Sequence, residues 1–281
     1  MNRRDHPEST TADKQDLPSL IGIYFSTRSW FQKAGAAAQA CFVGLWLGVL
    51  SPDRLYATVE EYYTRSGRRL QGHHDYHSKE YNRGGLFDWE KHTLTGYFGD
   101  CKDLLVLGAG GGREILALLR LGYQVDGFES HPALVVAANE LLREEGFDPA
   151  VHLIAPDESP SAGTTYDGIV VGWGMYMSIQ TRRRRIAFLQ QLRTKTRARG
   201  PILLSFFPRD GADRRYHVSA SVANMIRRML RREPTEVGDS LEPFYVHHFT
   251  QDELTSELAE GGFDTVYYDT WDYGHAVGTA V

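Results

Sequence analysis

The sequence predicts an α/β fold built on a doubly wound, mostly parallel sheet. Three observations carry this. After about residue 100, apolar runs of four to six residues alternate with helical patterns, as in a parallel sheet covered on both faces. A glycine-rich stretch, 108–112, separates the first run from the helix that follows it. An acid, Glu129, ends the second run, 21 residues after Gly108. Strand, glycine loop, helix, strand, acid is the order of a nucleotide-binding α/β unit.

The composition fits that fold and excludes others. The chain has 281 residues, 31 Lys and Arg against 36 Asp and Glu, and a formal net charge of −5. With 42% hydrophobic, 12% aromatic and 24% charged residues it is neither disordered, collagen-like nor a disulfide scaffold. A mildly acidic total argues against a protein held to nucleic acid by phosphate neutralisation. Cys41 and Cys101 are the only cysteines. They fit a reducing compartment, and a cytoplasmic location is expected.

Residues 1–20 are polar, contain two prolines and lack apolar periodicity, so a disordered tail is expected there. Residues 21–97 read as an N-terminal helical cap and 98–281 as the sheet domain. Within the cap a helix is expected over 29–50. Its uncharged stretch, 34–52, has an apolar part shorter than the ~20 residues of a membrane span and carries Gly35, Gln39, Gly44 and Gly48. Phe42, Leu45, Trp46, Leu47 and Leu50 then make it a buried helix, with no membrane partner. Ser51-Pro52 opens a second helix over 51–66, with Glu60 and Glu61 inside it. Residues 72–87, GHHDYHSKEYNRGGLF, are aromatic and His-rich and read as irregular. Asp88 then caps a helix to about Tyr97.

The sheet domain opens with the strand DLLVL at 103–107. A helix over 112–121, a strand at 124–128 and a helix over 132–145, ended near Gly146, follow. Strands come next at 151–154 and 168–172, then a helix over 182–198 stopped by Gly200, a strand at 202–207 and a helical fragment at 218–232. Thr250-Gln-Asp-Glu253 is a capping box opening a helix to Gly261. Runs at 265–269 and 275–281 bring the strands to seven. The RRRR run at 182–185 sits at a helix start and reads as a solvated face, a contact for an anionic substrate being the alternative.

The strongest chemical signal is LLVLGAGGGRE, 104–114. Gly108, Gly110 and Gly112 offer a ligand backbone without Cβ, beside the free N–H groups of a helix start. A dinucleotide pattern G-x-G-x-x-G would need glycine at 113, where Arg113 stands; G-x-G-x-G fits instead. A carboxylate at Glu129 accepts two hydrogen bonds from a ribose diol, which distinguishes a nucleoside from a bare phosphate. Charge complementarity with the helix opening at Pro132 is its alternative role.

LGAGGG, then GFE, then Asp157 after the third strand, then YDGIVVGWG and a final GF followed by two strands together resemble the class I S-adenosylmethionine-dependent methyltransferases. The resemblance spans roughly residues 95–281, two-thirds of the chain. It implies a seven-stranded sheet whose last strand is antiparallel, and S-adenosyl-L-methionine as cofactor. The glycine loop, Gly108, Ala109, Gly110 and Gly112, would lie under the methionine part. Glu129, followed by Ser130, would hold the ribose hydroxyls, and Asp157 would meet the adenine amine, with Glu158 the next candidate. The family's usual acid two residues before the first loop glycine is here Val106, so another group must meet the cofactor's ammonium. Glu114 is the nearest charged candidate in sequence, helix N-terminal charge complementarity being its other reading. Trp173 and Tyr176, after the fourth strand, are candidates to wall the adenine or the acceptor, or plain packing. The N-P-P-Y-type tetrapeptide of adenine- and glutamine-methylating enzymes is absent, which argues against those targets.

The expected reaction is methyl transfer to an oxygen or nitrogen of a small molecule, enclosed by a cap that carries Tyr62, Tyr63, Tyr81 and Trp89. Two alternatives stay open here: a non-catalytic S-adenosylmethionine-binding partner protein, and an NAD(P)-dependent oxidoreductase, weakened by Arg113. Candidate acid–base groups are His247 and His248 in YVHHF. Tyr81 and His77, with Glu90, are candidates in segment 72–90, expected to close over the acceptor. His73, His74, Asp75 and His77 lack a compact ligand spacing and nearby cysteines, so no metal is expected there.

Overall fold

The structure, a computed structural model, describes residues 22–23, 27–28, 35–65, 75–156, 160 and 163–281. The expected tail, His73, His74, Asp157 and Glu158 lie outside the described residues.

Five parallel strands form the centre: β1 (Asp103–Leu107), β2 (Gln124–Glu129), β3 (Val151–Leu153), β4 (Gly168–Val171) and β5 (Pro201–Pro208). Their spatial order is β3-β2-β1-β4-β5. β9 (Gly274–Ala280) runs antiparallel to β5, with Leu203 opposite Val277, and β8 (Phe263–Asp269) runs antiparallel to β9. The seven-stranded order β3-β2-β1-β4-β5-β9-β8 carries the antiparallel last strand that was expected. Winding reverses between β1 and β4, so the loops after β1, β2 and β4 meet at one crevice at the carboxyl edge. A buried hairpin, β6 (Asp239–Leu241) and β7 (Tyr245–Phe249), joins the end of β5 through Phe207 opposite His248. The sequence reading holds no strand there, because strands this short and buried on both faces leave no alternation to read.

The helices are α1 (Ala36–Val49), α2 (Pro52–Arg65), α3 (Lys79–Arg83), α4 (Asp88–Tyr97), α5 (Arg113–Arg120) and α6 (Pro132–Glu144), then α7 (Met175–Ser178), α8 (Arg182–Arg193), α9 (Arg214–Met229) and α10 (Gln251–Glu260). The period-two alternation of strand side chains decides which of them each strand residue meets. Leu105, Leu107, Ile169, Val171, Ile202 and Leu204 share one cluster with Phe188 and Leu189 of α8 and Leu254 and Leu258 of α10. Leu104, Val106, Val170 and Leu203 join Ile115 and Leu116 of α5 and Ala138 and Leu141 of α6.

The apolar stretch expected as a buried helix is α1, and it packs along α9. A Cβ on Gly48 would come within 2.9 Å of Ile226, so glycine sets how near the two axes lie. Arg227 of α9 donates from Nε to the Leu47 carbonyl at 2.9 Å. Phe42, Val43 and Leu47 are buried, whereas Leu45 and Val49 are about half exposed, so only one face of α1 meets the core. No helix among the described residues is long and apolar enough to cross a membrane.

Several local readings need correction. Residues 79–83, within the stretch read as irregular, form α3, capped by the Ser78 hydroxyl oxygen accepting from the Tyr81 N–H. Phe87, not Asp88, caps α4: its N–H donates to Glu90 Oε2 at 2.7 Å, and Asp88 sits exposed beside Lys91. The α9 helix begins at Arg214 rather than 218, because the Asp213 carboxylate caps it by accepting from the Arg215 N–H. The arginine run is not a solvated face throughout, since Arg185 is 1% exposed and bonded to Glu257 and Glu236. Arg182 reaches Glu260, which leaves Arg183 and Arg184 as the exposed pair.

Candidate functional site

A cavity lies over the carboxyl ends of β1, β2 and β4, with about 990 Å³ of empty space including its open mouth. The glycine loop forms its floor. Its opposite wall is one face of α2, carrying Tyr56, Val59, Glu60 and Tyr63, together with Tyr76, Tyr81 and Asn82.

After β1 the chain turns through Gly108, Gly110 and Gly112 with φ of 69°, 54° and 93°, a region that side-chain-bearing residues avoid. Gly111 answers a different demand: a Cβ there would overlap the Tyr76 carbonyl and the Asn82 amide. Gly112 does not line the cavity. It caps α5 and lets that helix approach Ala138 of α6.

Glu129 ends β2 and is 8% exposed. Its Oε2 accepts from the Gly110 N–H at 2.8 Å and its Oε1 from the His131 N–H at 2.9 Å. These bonds tie the loop after β1 to the loop after β2. Burial raises the carboxyl's pKa, and the two N–H donors offset part of that rise. Ser130, His131 and Ala109 line the same cavity. After β3, Ile154, Ala155 and Pro156 line the cavity, and Asp157 follows them in sequence.

Beside the loop, Arg113 is buried between two acids. Its Nη1 and Nη2 each donate to Glu90 at 2.7 Å, and Nη2 also donates to Glu114 at 2.6 Å. The guanidinium lies 4.0 Å from the Phe87 ring. Burial works against its charge, but the two glutamates outweigh that and hold its pKa above the usual value. Burial raises the pKa of Glu90, and the Arg113 guanidinium offsets part of that rise. Glu114 lines the cavity; Glu90 does not, being spent on Arg113 and on the cap of α4.

Of the other sequence candidates, Trp173 and Tyr81 line the cavity. Burial pushes the phenols of Tyr63, Tyr76 and Tyr81 well above their ordinary range, so they remain protonated. Tyr176 is packing instead: it is fully buried, with its hydroxyl on Glu257 at 2.7 Å and its ring stacked on Phe249. His77 is not a lining residue; its Nε2 lies 3.2 Å from the Tyr63 carbonyl. His247 and His248 are buried on β7 and do not line the cavity either. His247 Nδ1 lies 2.8 Å from Asp239, and the His248 ring stacks on Phe207. Burial raises the Asp239 carboxyl's pKa, but His247 and Tyr245 more than reverse this and hold it low.

Glu236, Asp239 and His247 bring potential ligand atoms within 4.8 Å of one another. Arg185 already bonds Glu236 at 2.9 Å, and the Tyr245 hydroxyl bonds Asp239 at 2.7 Å, so the cluster is satisfied internally.

Tyr56, Glu60, Tyr76 and Asn82 were not read from the sequence as site residues. The spacing 56, 59, 60, 63 does mark one helical face, but the sequence does not say that this face meets the glycine loop.

No protein-family model matches the chain, and no curated protein matches it in sequence. Solved structures match it in fold. A methyltransferase described as S-adenosylmethionine-dependent, from Methanosarcina mazei, is 17% identical, with 70% of this chain and 99% of that one covered and a TM-score of 0.54. Magnesium protoporphyrin IX methyltransferase from Synechocystis, solved with bound S-adenosylmethionine, is 13% identical over 82% of this chain and 94% of that one, with a TM-score of 0.51. An amino pentose methyltransferase from Micromonospora echinaspora, solved with the same cofactor, is 15% identical over 79% of this chain and 97% of that one, with a TM-score of 0.50. With the strand order and crevice described above, these likenesses give the chain the fold of the class I S-adenosylmethionine-dependent methyltransferases.

Proposed function

We propose that this chain is an S-adenosylmethionine-dependent methyltransferase acting on an oxygen or nitrogen of a small molecule. The observation that carries the reading is Glu129. It is a buried carboxylate at the end of β2, locked to the glycine loop at Gly110 and lining the cavity that the loop floors.

The residues present fit the cofactor. Gly108 and Gly110 line the cavity with backbone that carries no Cβ, Glu129 lines it beside them, and Glu114 lines it next to the loop. The carboxylates of Glu114 and Glu129 are the acids among the lining near the loop, which suits a ligand bearing a sulfonium and an ammonium. Gly108, Ala109 and Gly110 would support the methionine part, Glu129 with Ser130 the ribose, and Asp157 the adenine amine, with Trp173 as a wall. When bound, the cofactor supplies a methyl group on a sulfur that leaves with the bonding pair.

The chain's own contribution is enclosure and alignment, which account for much of the rate in a displacement between two held groups. Residues 21–97 act as the cap: α2 and Tyr76, Tyr81 and Asn82 wall the cavity opposite the glycine loop. Tyr81, kept protonated by burial, orients an acceptor by hydrogen bonding rather than taking its proton. The volume and aromatic lining suit a small molecule. Cys41 and Cys101 are both unbridged, in keeping with a cytoplasmic enzyme.

A screen of hydroxylated and amine-bearing small molecules, read by release of S-adenosylhomocysteine, tests the activity. Acceptor-dependent release supports it. Tight cofactor binding without release for any acceptor would favour a non-catalytic binding protein.

A further inference from the structure

We propose that the outer face of the α1–α9 helix pair docks on the surface of an anionic lipid bilayer. The two helices run side by side in the same direction, Gly44 meeting Ser219 and Val222, and Gly48 meeting Ala223 and Ile226. Leu45 and Val49, one position beyond the glycines, are about half exposed. Met225 and Met229, three positions beyond Val222 and Ile226, are 63% and 79% exposed. The four therefore flank the seam on the side away from the core, where Leu47 and Ala223 are buried. Leu230, just past the last turn of α9, adds a further exposed apolar side chain. Neither helix is long and apolar enough to cross a membrane, so the contact is with the bilayer surface.

Charge selects the partner. The chain as a whole carries −5, yet residues 34–52 hold no charged side chain and residues 214–232 hold six arginines and no acid. Arg214, Arg228 and Arg231 are exposed and make no ion pair among the described residues. The acids at the two ends of the run are engaged, Asp213 with Arg215 at 2.6 Å and Glu233 with Arg183 at 3.7 Å. Arg231 stands just past α9 with φ 54°, a conformation that favours glycine, so its side chain is kept there at a backbone cost. A second copy of this chain, docked about a two-fold axis, would set these arginines against their own counterparts. Nucleic acid would leave Leu45, Val49, Met225 and Met229 without an apolar partner. An anionic bilayer satisfies both sets, with phosphates for the arginines and the acyl boundary for the apolar side chains.

The test is flotation of the full chain with lipid vesicles, joined to peroxide oxidation of its methionines read by mass spectrometry. The vesicles are phosphatidylcholine alone, or equal parts of phosphatidylcholine and phosphatidylglycerol. The chain is expected to float with the second kind only and to be released by salt. Met225 and Met229 should oxidise readily in the chain alone and several times more slowly with anionic vesicles, with Met177, 1% exposed, as the buried reference. Arg228→Gln with Arg231→Gln should weaken vesicle binding about twentyfold, at roughly fivefold per arginine. Val49→Ser with Met229→Ser should weaken it as well. Absence of flotation with anionic vesicles, or binding unchanged in either double variant, would overturn the proposal. So would protection of both methionines in the chain alone. Protection that grows with protein concentration gives the face to a second copy, and protection independent of concentration gives it to other residues of the same chain.

Discussion

Arg113 and Arg185 occupy closely similar surroundings. Each is buried, at 4% and 1% exposure, between two glutamates and against a phenylalanine ring. Arg113 joins Glu90 and Glu114 beside the glycine loop. Arg185 joins Glu257 and Glu236 between α8, α10 and the segment leading to β6. The difference lies in what the acids do next. Glu257 also accepts from Tyr176 and is closed off, whereas Glu114 turns one side to the cavity. The same buried chemistry thus holds the fold in one place and shapes a binding site in the other.

Arg185→Met strands Glu257 in the core, and breaking a buried ion pair by removing one partner costs about 3–5 kcal/mol. Denaturant unfolding should show that loss, with cofactor affinity kept in the folded fraction. Arg113→Met strands the buried Glu90 and Glu114 and should lose stability as well, and should also lose cofactor affinity. If both variants lose affinity alike, or neither does, the contrast between the clusters is wrong.

Neither cluster was legible in the sequence, for a shared reason. Arg185 sits in a run of four arginines, and a run says nothing about which member turns inward. Arg113 registered only as the residue spoiling a dinucleotide spacing, because its partner Glu90 lies 23 residues upstream in another element. The glycine loop and Glu129 were legible because backbone geometry fixes them locally: positive φ demands glycine, and a strand–helix–strand unit fixes the distance to the acid. The alternating apolar runs likewise gave the seven strands, while β6 and β7 needed tertiary burial to exist. His247 and His248 looked chemical as a pair of imidazoles, but a strand sends neighbours to opposite sides, and neither side of β7 reaches the cavity.

Glu129→Gln sharpens the comparison on the binding side. It keeps one of the two backbone N–H bonds, sets its NH2 against the other N–H and weakens acceptance from ribose hydroxyls, and affinity should fall by about 1.5–3 kcal/mol by calorimetry. Asp157→Asn should cost less, because an amide oxygen still accepts from an amine; an equal or larger loss would reverse the two roles.

The smallest expected effect is a pH dependence on the structural side. His247 and Tyr245 hold the Asp239 carboxyl below its ordinary range. The unfolded chain therefore binds the proton first as pH falls. The stabilisation is complete above the unfolded pKa of about 3.9 and is lost as pH drops through the lower folded value. Asp239→Asn should be less stable at neutral pH and show a shallower acid decline. An unchanged acid slope would mean that this carboxylate contributes nothing to stability.

The central claim is that the glycine loop and Glu129 hold S-adenosylmethionine. Calorimetric titration of the full chain with S-adenosylmethionine and, separately, with NAD tests it most directly. The account predicts one-to-one binding of S-adenosylmethionine, weakened in Glu129→Gln, and no comparable affinity for NAD. Preference for NAD, or S-adenosylmethionine binding indifferent to Glu129, would contradict it.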